Sequence, residues 1–177
     1  MALDLGKNRQ HHPLMSLEGL KNKGCDELDG MFAAALVPTP DELEGAYDGL
    51  LLTGNLPPAP RHFPIAKVQQ PWWPWKGKVF YTSTDSRRGH GANRLVAGPI
   101  RRERWRFETA VGPSRFDGRD ALLLDYDLPG NPLWLRRGVI DELRKVKDGL
   151  YLGKGGIVVL GQTRFVFLWA LQKPNHA

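Results

Sequence analysis

The second half of the chain alternates between apolar and polar residues with the period of two that is typical of β-strands. Over 104–111, Trp105, Phe107 and Thr109 share one face, and charged residues share the other. Similar patterns, or short apolar runs bounded by turn residues, predict further strands over 46–53, 77–84, 93–97, 121–126, 140–146, 149–153, 156–160 and 164–172. About eight to nine short strands in succession predict a mainly β protein that closes into an antiparallel barrel.

Helical patterns lie mainly before the first strand. Over 25–36, apolar residues recur on one side of a helix, and a single helical turn is expected within 14–20. Thr39-Pro40-Asp41-Glu42 has the composition of a helix start, because threonine can cap, proline suits the first position and glutamate completes a capping box. A further helical turn is expected over 133–137. One or two short N-terminal helices therefore precede the barrel.

The length of 177 residues is that of one globular domain. Within it we distinguish an N-terminal arm and helix, 1–38, from a barrel, 39–177. Cys25 is the single cysteine, which excludes an intramolecular disulfide and fits a reducing compartment. Residues 1–10 lack the apolar region of a signal peptide, so we expect a cytoplasmic protein.

The net charge of +6 favours anionic partners, namely carboxylate ligands, a membrane surface or nucleic acid. No stretch approaches the roughly 18 apolar residues of a membrane span. Bases and aromatics are mixed over 101–107, but the alternation explains them better than single-strand binding does, so we do not expect nucleic acid as a partner. Assembly into a homodimer is a further alternative.

A proline-rich segment, 55–75, contains the cluster Pro71-Trp72-Trp73-Pro74-Trp75. This composition excludes regular structure. The cluster either packs against one end of the barrel or forms an aromatic wall over a pocket, in which case Trp73 and Trp75 contact a ligand. Both alternatives remain open.

The strand over 139–146 carries ionisable groups on both faces. If its second face is interior, Glu142 and Arg144 enter the barrel two residues apart, and a buried carboxylate beside a guanidinium must be paired or must bind something. They are either an internal ion pair or a polar anchor, in which Arg144 grips a carboxylate or phenolate of a ligand. Arg106 is a candidate to join them.

Tyrosines and one loop supply further candidates. Tyr126 shares a face with apolar residues of its strand, and with Tyr81 and Tyr151 it offers phenolic groups for acid–base chemistry. Core packing is the alternative for all three. At the barrel mouth, His90 and Arg94 are candidates for contact with a polar ligand group, because the nearby serine and aspartate show no pattern of a hydrolytic triad.

Several segments carry a resemblance to a known family. Gly45-Ala46-Tyr47-Asp48-Gly49 is similar to a G-x-W-x-G motif with Tyr in place of Trp, and Trp75-Lys76-Gly77-Lys78-Val79-Phe80 is similar to W-x-G-K-x-F. Residues 141–146 and 149–153 resemble a "DE(I/L)R-x-V-x-x-G-(L/V)-YLG" ending, and 167–171 resembles a final strand of the type "FALEF". Over about residues 40–172 the chain therefore resembles small lipocalin-like bacterial barrels.

The resemblance implies a barrel around an apolar cavity, without a settled activity. The haem-binding branch of such barrels uses a histidine on a late strand, and this chain has histidines only at 11, 12, 62, 90 and 176. We therefore expect no haem or other cofactor. The adjacent histidines His11 and His12 lack a third ligand nearby, so we expect no metal.

These observations lead to two functional hypotheses. The first is binding of a small hydrophobic molecule, aromatic or lipid-like, with an acidic or phenolic group. The second is a cofactor-independent lyase, isomerase or cyclase that acts on such a molecule by tyrosine and carboxylate chemistry. The catalytic candidates are Tyr81, Tyr126, Glu142 and Arg144. The ligand-binding candidates are Trp73, Trp75, His90, Arg94, Trp105, Arg106, Phe107, Tyr151, Phe167 and Trp169.

Overall fold

The computed structural model describes residues 15–54 and 74–174, in which eight antiparallel strands close into a barrel. The strands are β1 (Gly45–Gly54), β2 (Trp75–Tyr81), β3 (Arg88–Ala97), β4 (Ile100–Pro113), β5 (Asp120–Asp125), β6 (Val139–Lys147), β7 (Leu150–Val159) and β8 (Gln162–Gln172). Each strand pairs with the next along the chain, and β8 pairs with β1. The predicted mainly β barrel of about eight to nine strands is confirmed.

Three short α-helices accompany the barrel within the described residues: α1 (Leu17–Lys21), α2 (Cys25–Ala34) and α3 (Leu133–Gly138). A 3-10 turn, Pro40–Glu42, lies where the capping sequence predicts a helix start, and the Thr39 N–H donates to Glu42 Oε1 over 3.3 Å. No helix in the described part of the chain has the length and apolar content needed to cross a membrane.

The sequence pattern predicts two strands, over 149–153 and 156–160, where the structure has the single strand β7. The prediction separates the strand in two because the glycines at 153, 155 and 156 are typical of a turn. A Cβ at Gly153 would overlap the indole of Trp169, and a Cβ at Gly155 would overlap the ring of Phe167. These glycines therefore leave room for aromatic rings from β8 inside a continuous strand.

The apolar residues form two cores, one on each side of the sheet. The inner core fills the barrel with aromatic and aliphatic side chains from β1, β2 and β4 to β8. The outer core lies between the sheet and the N-terminal helices, where Leu20, Leu28 and Phe32 pack against Leu152 and Leu168. The strands under α1 and α2 are therefore apolar on both faces.

Candidate functional site

A cavity of about 310 Å³ opens at the end of the barrel that α3 borders. This volume is at the lower end of the range for small-molecule sites, which is about 300–1,000 Å³. Its walls are mostly aromatic and aliphatic, with three polar side chains. The lining residues are Leu51, Trp75, Lys78, Asn93, Trp105, Tyr126, Trp134, Leu135, Val139, Asp141, Phe167 and Trp169.

Aromatic rings on different elements hold one another in place around this cavity. Trp75 of β2 and Trp169 of β8 meet edge to face, with ring centroids 6.1 Å apart. Trp105 of β4 and Trp134 of α3 do the same at 5.7 Å. Trp134 is 59% exposed, so this pair lies at the mouth. Edge-to-face pairs are a favoured arrangement, and they fix the orientation of these rings in the cavity wall.

A β-bulge places Trp105 in this wall. On β3, Ala92 pairs with Arg106 and Asn93 pairs with Arg104, so Trp105 is the extra residue on β4. Its φ is 55°, in the left-handed region that non-glycine residues rarely adopt. The bulge also positions the Trp105 carbonyl to accept a hydrogen bond from Asn93 Nδ2 at 3.0 Å. Backbone strain therefore serves the geometry of the cavity.

Lys78 of β2 lies at the polar side of the cavity and is buried, with 1% exposure. Its ammonium group donates to Asp141 Oδ2 at 3.0 Å, to Tyr126 OH at 2.7 Å and to Asn93 Oδ1 at 2.9 Å. All three donors of Nζ are thereby satisfied. A buried ammonium needs such partners, because desolvation of an unpaired charge is costly.

Tyr126 and Asn93 complete the network. The Tyr126 hydroxyl donates to Asp141 Oδ2 at 2.8 Å and accepts from Asn93 Nδ2 at 3.2 Å. Asn93 Oδ1 also accepts from Trp75 Nε1 at 2.9 Å, which fixes the orientation of the amide. Every polar hydrogen of the Asn93 amide and of the Lys78 ammonium therefore has an acceptor.

Two polar atoms on cavity-lining residues are buried without a hydrogen-bond partner among the described residues. They are Asp141 Oδ1, an acceptor, and Trp169 Nε1, a donor. Buried polar atoms are nearly always hydrogen-bonded in native proteins, and an unsatisfied one costs about 1–3 kcal/mol. The residues that line the cavity therefore include one unsatisfied acceptor on a carboxylate and one unsatisfied donor on an indole.

Burial shifts the protonation equilibria of this network. Desolvation lowers the pKa of Lys78, and the charge and hydrogen bond of Asp141 oppose that shift. Desolvation also raises the pKa of Tyr126 well above its ordinary value, and the charge of Asp141 acts in the same direction. Tyr126 is therefore a neutral phenol at physiological pH, and the protonated state of Lys78 depends on Asp141.

Several aromatic rings also lie close to the Lys78 ammonium. Nζ lies 4.8 Å from the ring centroid of Trp169, 5.2 Å from that of Phe107 and 5.4 Å from that of Tyr126. Cation–π contacts of this kind stabilise a desolvated ammonium by about 2 kcal/mol. The nitrogen is therefore held in one position beside the cavity.

The structure brings five of the predicted site residues together around the cavity. These are Trp75, Trp105, Tyr126, Phe167 and Trp169. Phe107 lies in the inner core next to Lys78 and Tyr126, with its ring centroid 5.7 Å from that of Tyr126. Trp73 lies outside the described residues.

Glu142 and Arg144 lie on the outer face of β6. The inner face of this strand carries Asp141 instead. Glu142 and Arg144 are buried because α2 and the β4–β5 loop cover the outer face. Arg144 makes a bidentate pair with Asp117, at 2.7 and 2.8 Å, and does not pair with Glu142. Glu142 Oε1 accepts from the backbone N–H of Arg115 at 2.6 Å. Glu142 and Arg144 therefore do not enter the barrel, as they would if their face of β6 were interior. That face is buried, but it does not face the barrel interior.

The remaining predicted residues are distributed elsewhere. His90 is exposed and its ring lies 5.2 Å from that of Tyr81, whose hydroxyl donates to Glu103. Arg94 donates to Asp48 and Arg106 is exposed, both away from the cavity lining. Tyr151 lies within the inner core, edge to face with Tyr47 at 5.6 Å, and is absent from the cavity lining.

The sequence pattern alone does not identify Lys78, Asn93, Asp141 or Trp134 as site residues. A signal exists for two of them: Lys78 alternates in phase with Phe80, and Asp141 with Leu143, so each charge shares a face with a core residue. Nothing in the local pattern of Asn93 indicates that it joins Lys78. Within the described residues, no group of three or more potential metal ligands is close enough to hold an ion.

Comparisons with known proteins support the fold and do not name a function. No protein-family model and no curated protein matches the sequence. Among solved structures, the chain is similar to a protein from Thermomonospora curvata, with 15% identity and a TM-score of 0.53. The similarity covers 86% of this chain and 89% of that one. At this identity the likeness concerns the fold alone.

Proposed function

We propose that the barrel binds a small, largely apolar aromatic molecule that carries a hydroxyl or phenolic group. The observation that carries this proposal is Asp141 Oδ1, a buried carboxylate oxygen that lacks a partner within the described structure, on a residue lining an aromatic cavity. A carboxylate oxygen accepts hydrogen bonds, so a hydroxyl donor on the ligand satisfies it. Trp169 Nε1, the second unsatisfied group, is a donor for an acceptor atom of the ligand.

The charge balance of the cavity favours a neutral hydroxyl over an ionised carboxylate. Lys78 is the only cation among the described lining residues, and Asp141 already neutralises it. A ligand carboxylate would bring an uncompensated charge into an apolar site, next to Asp141. Of the two ligand groups expected from the sequence, acidic and phenolic, the phenolic one fits better.

The walls suit an aromatic body. Flat aromatic surfaces from four elements line the cavity: Trp75, Trp105, Trp134, Phe167 and Trp169. Burial of apolar ligand surface contributes about 25 cal/mol per Å², so these walls supply affinity and the polar corner supplies orientation.

The proposal is tested by calorimetric titration of the protein with 2-naphthol and with 2-methoxynaphthalene. The two probes share a ring system, but the ether cannot donate a hydrogen bond. A hydrogen bond to a charged group contributes about 1.5–3 kcal/mol, so we expect 2-naphthol to bind at least about tenfold more tightly. We expect 2-naphthoate to bind more weakly than 2-naphthol.

Asp141→Asn is the informative variant, because it replaces an acceptor in the cavity by an amide that can donate. The preference for 2-naphthol over the ether should then disappear. Asp127→Asn is the matched control, since Asp127 is half exposed and pairs with Arg136 on the surface. Equal affinities of the wild type for the two probes would contradict the proposal, as would a preference that persists in Asp141→Asn.

A second candidate function, a cofactor-independent lyase or isomerase, is favoured by one observation. Tyr126 OH and Asp141 Oδ2 are 2.8 Å apart, and both residues line the cavity, so they form a ready path for a proton. Exchange of the α-protons of 2-tetralone in D2O, followed by NMR, tests this function. Tyr126→Phe should abolish the exchange, whereas exchange equal to that in buffer would exclude it for this class of substrate.

A further inference from the structure

Lys78 is a primary amine at the edge of an apolar cavity, and the binding function does not use its nucleophilicity. Its side chain is 2% exposed, yet the residue lines the cavity. Amines in such surroundings lose their proton more readily than surface lysines, because burial disfavours the charged form. This is the environment that turns lysine into a nucleophile toward carbonyl compounds.

We propose that Lys78 forms a reversible imine with an aldehyde or ketone group of an aromatic ligand held in the cavity. The inference rests on the proposed binding function and adds the reactive group of the ligand. It is carried by the position of Nζ beside the cavity, by the proton acceptor that contacts it, and by an unused hydrogen-bond donor close to it.

The proton acceptor is Asp141. Its Oδ2 lies 3.0 Å from Nζ, so the ammonium can pass a proton to the carboxylate and expose the nitrogen lone pair. The direction of the Lys78 pKa, lowered by burial, agrees with this transfer. Because the proton stays within the pair, the free amine forms without a net change of charge in the cavity.

The addition step makes one C–N bond and opens the carbonyl π bond. The lone pair of Lys78 attacks the carbonyl carbon and the π electrons move to the oxygen, which gains a proton. The nitrogen then returns one of its two protons to Asp141, so that a neutral carbinolamine with a nitrogen lone pair is formed. The Tyr126 hydroxyl is placed to relay the proton from Asp141 to the oxygen, since it lies 2.7 Å from Nζ and 2.8 Å from Oδ2. Its raised pKa keeps it in the proton-donating form.

The loss of water completes the imine. The C–O bond breaks, the hydroxyl leaves with a proton as water, and the nitrogen lone pair forms C=N while the N–H proton returns to the network. Overall, one amine and one carbonyl give one imine and one water, with no oxidation or reduction. The apolar walls limit the entry of water that would reverse the reaction.

Trp169 supplies the donor for the carbonyl oxygen. Its Nε1 has no partner among the described residues, and its ring centroid is 4.8 Å from Lys78 Nζ. In the proposed reaction, this N–H donates to the carbonyl oxygen on which negative charge develops. Lys145 and Lys154 are paired with Glu42 and Asp29 and do not line the cavity, so no similar arrangement surrounds them.

The experiment treats the full-length protein with 2-hydroxy-1-naphthaldehyde and sodium cyanoborohydride, which reduces an imine to a stable amine. Peptide mapping by mass spectrometry then locates the adduct. We expect labelling at Lys78 at least about tenfold faster than at the exposed Lys147, because an aldehyde bound in the cavity is held next to Nζ and reacts as in an intramolecular reaction. An excess of 2-naphthol should protect Lys78 and leave Lys147 unprotected.

Lys78→Arg and Lys147→Arg form the matched variant pair, since arginine keeps the charge and forms no such adduct. Only the first should abolish the fast, naphthol-protected labelling. If 2-naphthol binds but Lys78 is labelled no faster than Lys147, the imine proposal is overturned and the binding function stands. If 2-naphthol does not bind and labelling is uniform, both proposals fail. The wild-type mapping decides the matter even if Lys78→Arg does not fold.

Discussion

Replacement of Lys78 by methionine should destabilise the protein strongly. Methionine is apolar and flexible enough to occupy the space of the lysine chain, so the change removes the charge and the three donors rather than the packing. Asp141 is then a buried carboxylate without its cation, and Asn93 and Tyr126 each lose one hydrogen bond. The change therefore isolates the electrostatic role of Lys78.

The magnitude follows from the burial of both partners. The Lys78 and Asp141 side chains are 2% and 7% exposed, and removal of one partner from such a buried pair costs about 3–5 kcal/mol. For a chain of 177 residues, 1 kcal/mol corresponds to about 2–4 °C in Tm. The expected fall in Tm is therefore about 6–20 °C.

The assay is urea unfolding at pH 7, followed by tryptophan fluorescence, for the wild type, Lys78→Met, Asp141→Asn and the double variant. In the double variant, the asparagine carries no charge and still accepts from Tyr126. We therefore expect it to be more stable than Lys78→Met alone, by about 1–3 kcal/mol. Lys147→Met, at an exposed position of β6, is the control and should change stability by no more than about 0.5 kcal/mol.

Two results would refute this reasoning. The first is a decrease of less than about 1 kcal/mol in the free energy of unfolding of Lys78→Met, because removal of the partner of a buried carboxylate is strongly destabilising. The second is a double variant that is less stable than both single variants, because the two charges would then not be compensating each other.

Three further predictions concern other parts of the molecule. Hydrogen bonds from Arg144 hold the pKa of the Asp117 carboxyl at about 2. The stabilisation that this carboxylate provides is therefore complete above about pH 4 and is lost as the pH falls through 2. The free energy of unfolding should fall more steeply with decreasing pH in the wild type than in Asp117→Asn, and equal slopes would contradict this. Gly153→Ala places a methyl group against the Trp169 indole. It should lower the free energy of unfolding in urea by about 1–3 kcal/mol and weaken 2-naphthol binding. Unchanged stability and affinity would show that the rings have room to move. Trp134→Ala, at a 59% exposed position, should weaken 2-naphthol binding in calorimetry but change stability by no more than about 0.5 kcal/mol, and unchanged affinity would exclude Trp134 from the site.

The barrel is predictable from sequence because strands in a meander depend on local pattern. Over 104–111, one face meets the core and the other meets solvent, so the alternation is clear and the structure places Trp105 and Phe107 inward. Residues 88–92, whose polar composition indicates a loop, belong instead to β3. The one error in strand count, at Gly153 and Gly155, arises because aromatic rings from another strand fill the space above these glycines.

The polar side of the site is harder to predict because it depends on which face of each strand is interior. On β6, α2 and a loop bury the outer face, so Glu142 and Arg144 look as internal as Asp141 does. Lys78 and Asp141 are 63 residues apart, and only closure of the barrel brings them together. Pairing over that distance leaves no trace in a local pattern.

The most direct test of the central claim is a crystal structure of the protein with 2-naphthol. We expect the ring system between the tryptophan walls and the hydroxyl within about 2.8 Å of Asp141 Oδ1, the distance of an O–H···O hydrogen bond. A bound 2-naphthol whose hydroxyl points to the cavity mouth, or a cavity without the probe at saturating concentration, would contradict it.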